Sequence, residues 1–253
     1  PRHGFSREWT APFDWKNPDG YDFFMDLEPL SLAKTRYFGD SIAFWNDITD
    51  HPNYDRFWQD RNIIPHLKPV RPAVMVVGGW FDAEDLYGTF HTYQGIEKNN
   101  PGTPNSLVVG PWIHGGWART DGSFLGNVSF GSKTAVFYRD SIELPFFNHY
   151  LKDKANPDLP EATLFMTGLN EWRRFNRWPP EGIRTLKLFL HENGRLSWDR
   201  ANFDGPSFDE FVSDPKKPVP YTEAIAFDMT REYMTDDQRF AARRPDVLVY
   251  ETE

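Results

Sequence analysis

Asp82 and His114 are the two residues of this chain best placed to share a proton. Asp82 closes the run Val74-Met75-Val76-Val77-Gly78-Gly79-Trp80-Phe81, and His114 closes Leu107-Val108-Val109-Gly110-Pro111-Trp112-Ile113. Each stands just past a short apolar run that ends in glycine. A carboxylate in such a place can accept the Nδ1–H of an imidazole, fix its tautomer and stabilise the imidazolium. The imidazole can then act as a general base. Taken singly, each residue has a plainer reading. Asp82 suits an N-cap of the helix that follows, and His114 suits a loop histidine held by a local hydrogen bond. The pair, acid and then base at the ends of consecutive strands, is far more specific than either residue alone.

The elements around the pair must be able to place it. Val74–Val77 and Leu107–Val109 have the length of short buried strands. Between them Leu86, Phe90, Tyr93 and Ile96 recur at helical spacing and predict one buried stripe. Asn99-Asn100-Pro101-Gly102 stops that helix. Strand, acid-bearing turn, helix, strand, histidine-bearing turn is how the last part of an α/β-hydrolase sheet presents its acid and base. The order also follows the Ser, Asp, His sequence of that fold. Residues 70–155 therefore read as the C-terminal part of an α/β-hydrolase domain. A further helix is expected over roughly 133–151, divided or kinked at Pro145.

Residues 1–69 are rich in rings, among them Trp9, Phe13, Trp15, Phe23, Phe24, Phe38, Phe44, Trp45, Phe57 and Trp58. They show no alternation and read as a helical cap segment. Helices are expected over Ser31–Phe38 and after Asp50-His51-Pro52, with Asp50 as N-cap. From residue 156 to 253 the period changes to that of short strands. Ala162–Thr167 is one; Leu186, Leu188 and Leu190 alternate with Lys187, Phe189 and His191; Asn193-Gly194 supplies a hairpin turn; and Val247–Thr252 is the last. This spacing suggests a β-sandwich of jelly-roll type, cut short at its end. The fold class is thus α/β plus β.

Composition narrows the function. The 253 residues carry a formal charge of -9, which argues against nucleic acid or an anionic membrane as partner. There is no cysteine, so disulfides, thiolate metal sites and a cysteine nucleophile are excluded. No apolar run is long enough for a transmembrane helix. There is no His-Glu-x-x-His, no calcium loop and no phosphate-binding glycine loop. No metal or cofactor is expected, and Asp121-Gly122 reads as a turn. His3, His51, His66, His91, His149 and His191 lack the context of His114 and suggest structural or solvent roles.

A nucleophile is missing from these residues. No Gly-x-Ser-x-Gly occurs; Ser41 lacks the second glycine and a preceding strand, and Ser106 opens a strand instead of ending one. The elbow precedes the acid in this fold, so the serine is expected upstream of Pro1, and that segment is needed for activity. Glu84 and Asp85 follow Asp82 closely. Acidic residues in a first helical turn suit the helix dipole and need no function. Three carboxylates so close would also repel one another and attract a cation, which a substrate ammonium supplies.

At GGWFDAEDLYG and GPWIHGGWARTDGSFLGNVSFG the sequence resembles α-amino acid ester hydrolases, within the cocaine-esterase-like and X-Pro dipeptidyl-peptidase-like acyl esterases. The resemblance continues through FFNHYLKDK, ATLFMTGLNEWRRFNRWPP and PVPYTEAIAFDMTREYMTDDQRFAARRPDVLVYET, nearly the whole chain. It implies a hydrolase domain with a helical cap and a C-terminal jelly roll. It implies that Asp82 is the triad acid and His114 the triad base, and that Glu84 and Asp85 belong to the carboxylate cluster that holds a substrate's α-ammonium. The implied partner is a small amino-acyl ester or β-lactam substrate. Members are commonly exported to the periplasm or beyond and often form homo-oligomers; only the resemblance carries those two expectations. The expectation is a serine hydrolase or acyltransferase of α-amino acid esters and amides. The alternatives are an X-Pro dipeptidyl peptidase, a neutral-acyl esterase, or a non-catalytic jelly-roll module that binds carbohydrate or protein.

Overall fold

The computed structural model describes residues 14–202 and 205–252. The expected ring positions Trp9 and Phe13, and His3, lie outside them. In chain order the elements are α1 (Gly20–Leu27), α2 (Ala43–Asp50), α3 (Arg56–Gln59), β1 (Val74–Gly79), α4 (Leu86–Asn99), β2 (Asn105–Gly110) and α5 (Gly116–Arg119). There follow β3 (Phe124–Leu125), β4 (Val128–Ser129), α6 (Thr134–Tyr138), α7 (Leu144–Lys152), β5 (Ala162–Met166) and β6 (Glu171–Phe175). The last are β7 (Phe189–His191), β8 (Arg195–Ser197), α8 (Arg239–Ala242) and β9 (Glu251–Thr252). They divide into two units. One is Asn62–Thr185 with Met234–Asp236; the other takes the described residues of 1–61, 186–233 and 237–253.

The unit Asn62–Thr185 is built on a sheet of order β1-β2-β5-β6. β1, β2 and β5 run parallel, and β6 turns back antiparallel to β5. β2 is covered on both faces, which is why its sequence is apolar throughout and does not alternate. Leu107 and Val109 pack with Tyr93 of α4 and with Ala162 and Leu164 of β5. Val108 points the other way, toward Trp112, Ala135, Tyr138 and Ile142. The expected stripe of α4 is present: Tyr93 and Ile96 are buried, Leu86 and Phe90 half-buried. Full burial of side chains such as Leu107, Val109 and Leu164 stabilises the sheet by roughly 1.5–3 kcal/mol each.

One expectation is corrected in this unit. The hydrolase part was expected to end at residue 155, yet β5 pairs with β2 and carries β6 with it, so the sheet continues past that boundary. The buried run Ala162-Thr163-Leu164-Phe165 is that of a parallel strand covered on both faces, not of the start of a separate β domain. The helix expected over 133–151 is divided near Pro145, as expected: α6 and α7 are joined by a π-helical turn, Arg139–Glu143. A proline lacks its N–H and crowds the carbonyl four residues back, and the wider π turn accommodates both.

In the other unit, Phe23, Leu27 and Ala33 form a small core against Trp15, Leu32, Phe38 and Trp45. The helix expected over Ser31–Phe38 is realised mainly as a π-helical segment, Lys34–Phe38. Asp50 does not cap a helix; it ends α2, and Asp55 caps α3 by accepting a 2.9 Å hydrogen bond from the Phe57 N–H. The hairpin at Glu192-Asn193-Gly194 is as expected, with Asn193 at φ 61° and Gly194 at φ 70°. The strand expected from Leu186 begins only at Phe189, and Val247–Thr252 contributes only β9, parallel to β8. Between β8 and β9 stand Pro206, Pro215, Pro218 and Pro220, which cannot donate to a ladder. Among the described residues, no helix is long and apolar enough to cross a membrane.

Candidate active site

β1 and β2 end level with each other, Gly79 opposite Gly110. Past that point the two loops are stitched together. The Trp80 N–H donates to the Gly110 carbonyl at 2.9 Å and the Phe81 N–H to the Trp112 carbonyl at 3.0 Å. This approach needs glycine. A Cβ on Gly79 would lie 2.1 Å from the Trp112 carbonyl oxygen, and one on Gly110 would lie 2.4 Å from the Trp112 ring. Each loop is also pinned from below. Trp112 is buried and its Nε1–H donates to Thr134 Oγ1 at 2.9 Å. The Trp80 Nε1–H donates to the Phe165 carbonyl at 2.7 Å. Gly115, at φ +67°, turns the chain sharply after His114.

The stitching brings Asp82 to His114. The Asp82 side chain is 1% exposed and its two oxygens have separate tasks. Oδ1 accepts from the Glu84 N–H at 2.9 Å and the Asp85 N–H at 3.0 Å. Oδ2 lies 3.2 Å from His114 Nδ1. Both readings of Asp82, as a cap of the following turn and as partner of a histidine, are therefore realised in one carboxylate. The His114 side chain is 41% exposed. A ring that gives its Nδ1–H to Asp82 keeps Nε2 as the proton acceptor.

Asp85 joins the pair. Its Oδ2 lies 3.4 Å from His114 Nδ1, and its side chain is 66% exposed. The sequence suggested an ammonium contact for Asp85 and missed its contact with the ring. The signal was present, since residues three apart in a helical turn share a side. Glu84 is exposed and is tied to Asp82 through its backbone N–H; its carboxylate has no hydrogen-bond or ion-pair partner among the described residues. His114 Nδ1 and one oxygen each of Asp82 and Asp85 lie within 4.8 Å of one another. Such a trio can share a proton or hold a small cation. The 3.2 Å contact of Nδ1 with a carboxylate that already accepts two N–H groups describes the proton-sharing arrangement. His91, His149 and His191 keep local roles, each turning a ring nitrogen to a backbone carbonyl.

Residues 7–116 match the family model described as X-Pro dipeptidyl-peptidase (S15 family). The chain is similar to members of that family. It is 25% identical over 234 residues to a cocaine esterase of Rhodococcus sp., covering 88% of this chain and 39% of that one. It is 29% identical over 161 residues to a putative serine esterase of Mycobacterium bovis, covering 62% and 23%. Among solved structures, an aminopeptidase from a marine sediment Thaumarchaeota archaeon superposes with a TM-score of 0.87 at 36% identity, covering 97% of this chain and 40% of that one. An α-amino acid ester hydrolase superposes with a TM-score of 0.86 at 32% identity, covering 94% and 41%. The chain thus spans about two fifths, or less, of the length of the relatives it matches.

Proposed function

We propose that this chain carries the acid and base of a serine hydrolase that acts on esters. The observation that carries this reading is the 3.2 Å contact between Asp82 Oδ2 and His114 Nδ1 at the ends of adjacent parallel strands. In this reading a serine outside these residues attacks the acyl carbon while His114 Nε2 takes its proton. Asp82 holds the ring and stabilises the imidazolium. His114 then returns the proton to the leaving group, and water, or an amine such as a β-lactam nucleus, releases the acyl group. Glu84 and Asp85 face solvent beside the ring and hold the α-ammonium of an amino-acyl substrate, which orients the ester for attack. The three-stranded sheet of β7, β8 and β9 is proposed to belong to a jelly roll, and residues 14–69 to a helical cap. The proposed substrates are small molecules, and the reading involves neither nucleic acid nor membranes.

One observation favours a second reading. Asp85 already has a partner in His114, so it need not await a ligand's charge. That suits an esterase of uncharged acyl groups. The two readings separate on phenylglycine methyl ester and an analogue without the amino group. In the protein completed by its nucleophile, Asp82→Asn or His114→Ala lowers kcat by ~10³-fold or more on both esters under either reading. Glu84→Gln slows only the amino ester if the ammonium is held here. Equal losses on the two esters select the neutral-acyl reading, and a wild-type rate in Asp82→Asn removes both.

A further inference from the structure

We propose that Arg139 is a positioning residue for His114, acting through the one-turn helix α5; this rests on the acid–base role proposed for His114. The contact of His114 with Asp82 needs holding. At 3.2 Å it stands at the long end of N–H···O hydrogen bonds, and a drift of roughly half an ångström would break it.

His114 lies between two anchors. Just before it, the buried Trp112 donates its Nε1–H to Thr134 Oγ1 at 2.9 Å, and Thr134 Oγ1 in turn donates to the Gly122 carbonyl at 2.7 Å. Just after it, the Trp117 carbonyl accepts a 2.6 Å hydrogen bond from Arg139 Nη1. The same nitrogen donates to the Thr120 carbonyl at 2.9 Å. Thr134 opens α6, and Arg139 begins the π-helical turn that follows it. The stretch 134–139 therefore grips the histidine loop on both sides. π-helical turns are rare and recur at functional sites.

The second anchor is one that α5 cannot supply for itself. A helix of a single turn has no following turn to bond its carbonyls. The Gly116 carbonyl is taken by the Thr120 N–H at 3.1 Å and the Thr120 Oγ1–H at 3.0 Å. The carbonyls of Trp117 and Thr120 are taken by Arg139. A cation at a helix C-terminus suits the partial negative charge there. A bond from a charged donor is also stronger than one between neutral groups.

Asp82 needs no such brace. The N–H groups of Glu84 and Asp85 hold its Oδ1, and Trp80 pins its loop to the Phe165 carbonyl. Its side chain is buried, whereas that of His114 is 41% exposed. The ring is the less constrained partner, so the backbone beneath it decides whether the pair stays closed. Arg139, bonded to that backbone and not to the ring, thus sets the distance across which the proton is shared.

The experiment is hydrogen exchange of the His114 Nδ1 proton, followed by ¹H–¹⁵N NMR of the chain with the ring in its neutral form. Arg139→Met keeps an apolar stem and removes the donors. It should speed exchange at least about tenfold, the lost charge-assisted bonds appearing as more frequent local opening. Arg139→Lys keeps one donor nitrogen on a shorter stem and should speed exchange about threefold. Urea unfolding is measured in parallel, since a merely structural arginine would lower the midpoint and leave the exchange rate as it was. In the protein completed by its nucleophile, Arg139→Met should lower kcat about tenfold or more on both esters and keep KM within about twofold. The proposal is overturned by an unchanged kcat, or by a wild-type exchange rate in Arg139→Met, or in Arg139→Lys should the first variant not fold. Asp82→Asn keeps the two readings apart. If it leaves the Nδ1 proton signal in place, the acid–base role itself fails; if it abolishes the signal while Arg139→Met exchanges at the wild-type rate, only the positioning role fails.

Discussion

His51 with Asp55 and His114 with Asp82 are two histidine–aspartate pairs that differ in what holds them. His51 and Asp55 lie four residues apart, 2.6 Å from Nδ1 to Oδ2, with side chains 36% and 43% exposed. The chain's own local turn makes that contact, and the His51 ring stacks on Phe57 at 4.4 Å. His114 and Asp82 lie 32 residues apart, and their contact is longer, 3.2 Å. It depends on two strands in register, two glycines that let the loops touch, and a carboxylate buried to 1% exposure. The tighter pair is the less informative one. An exposed, local His–Asp contact is screened by water and contributes little. A buried carboxylate brought to an imidazole by separate strands is held in place by the fold, and this is the arrangement acid–base catalysis requires.

The largest effect is expected from breaking the stitching of the loops. Gly79→Ala drives a methyl group into the Trp112 carbonyl, a backbone atom that cannot step aside as a flexible side chain would. A loss of more than about 4 kcal/mol is expected for the unit Asn62–Thr185, measured by urea unfolding. Gly205→Ala, in the other unit, meets open space and should change stability by less than about 0.5 kcal/mol. If the two variants behave alike, the loops are not held as described.

A smaller effect lies at alkaline pH. Burial pushes the Tyr93 phenol well above the usual tyrosine range, aided by its hydrogen bond to Glu161. Burial does the same for Tyr138, aided by Glu143. Below about pH 10 both folded and unfolded states keep these protons, so the stability is intact. Above it the unfolded chain ionises first, and stability falls by about 1.4 kcal/mol per pH unit per tyrosine. Tyr138→Phe should halve that slope in unfolding measured above pH 10; an unchanged slope would mean the buried phenols ionise freely.

The smallest effect belongs to the exposed pair. The hydrogen bond from His51 holds the Asp55 carboxyl below the usual aspartate range, followed by contributions from the Phe57 N–H and the imidazole's charge. The stability this adds is present above the unfolded aspartate value and is lost as the pH falls through the folded one. Asp55→Asn should therefore lower Tm slightly near pH 7 and flatten its decline below pH 4. A large fall of Tm at neutral pH would make this pair a structural support of its unit.

Much of the site could be read from residue order. β1, α4 and β2 carried periodic apolar patterns, and glycine marked each strand end. Asp82 and His114 stood out because acid and base followed those ends in turn. The sequence could not show that β5 and β6 complete the sheet. Parallel pairing of β5 with β2 depends on a ladder between segments more than fifty residues apart, and a fully buried run carries no period that names its partner. The cap of α3 was misplaced because Asp50 and Asp55 both precede aromatic helical residues, and only the hydrogen bond from Phe57 distinguishes them. Asp85 was read as a ligand contact because the turn that aims its carboxylate at His114 is set by the two backbone bonds to Asp82.

The central claim concerns one proton, and NMR of the His114 imidazole in this chain addresses it directly. In its neutral form the ring should show, in long-range ¹H–¹⁵N spectra, Nδ1 protonated, its proton shifted downfield and slow to exchange, and Nε2 bare. Asp82→Asn should abolish that signal. A neutral ring carrying its proton on Nε2, or a spectrum that Asp82→Asn leaves unaltered, would contradict the account.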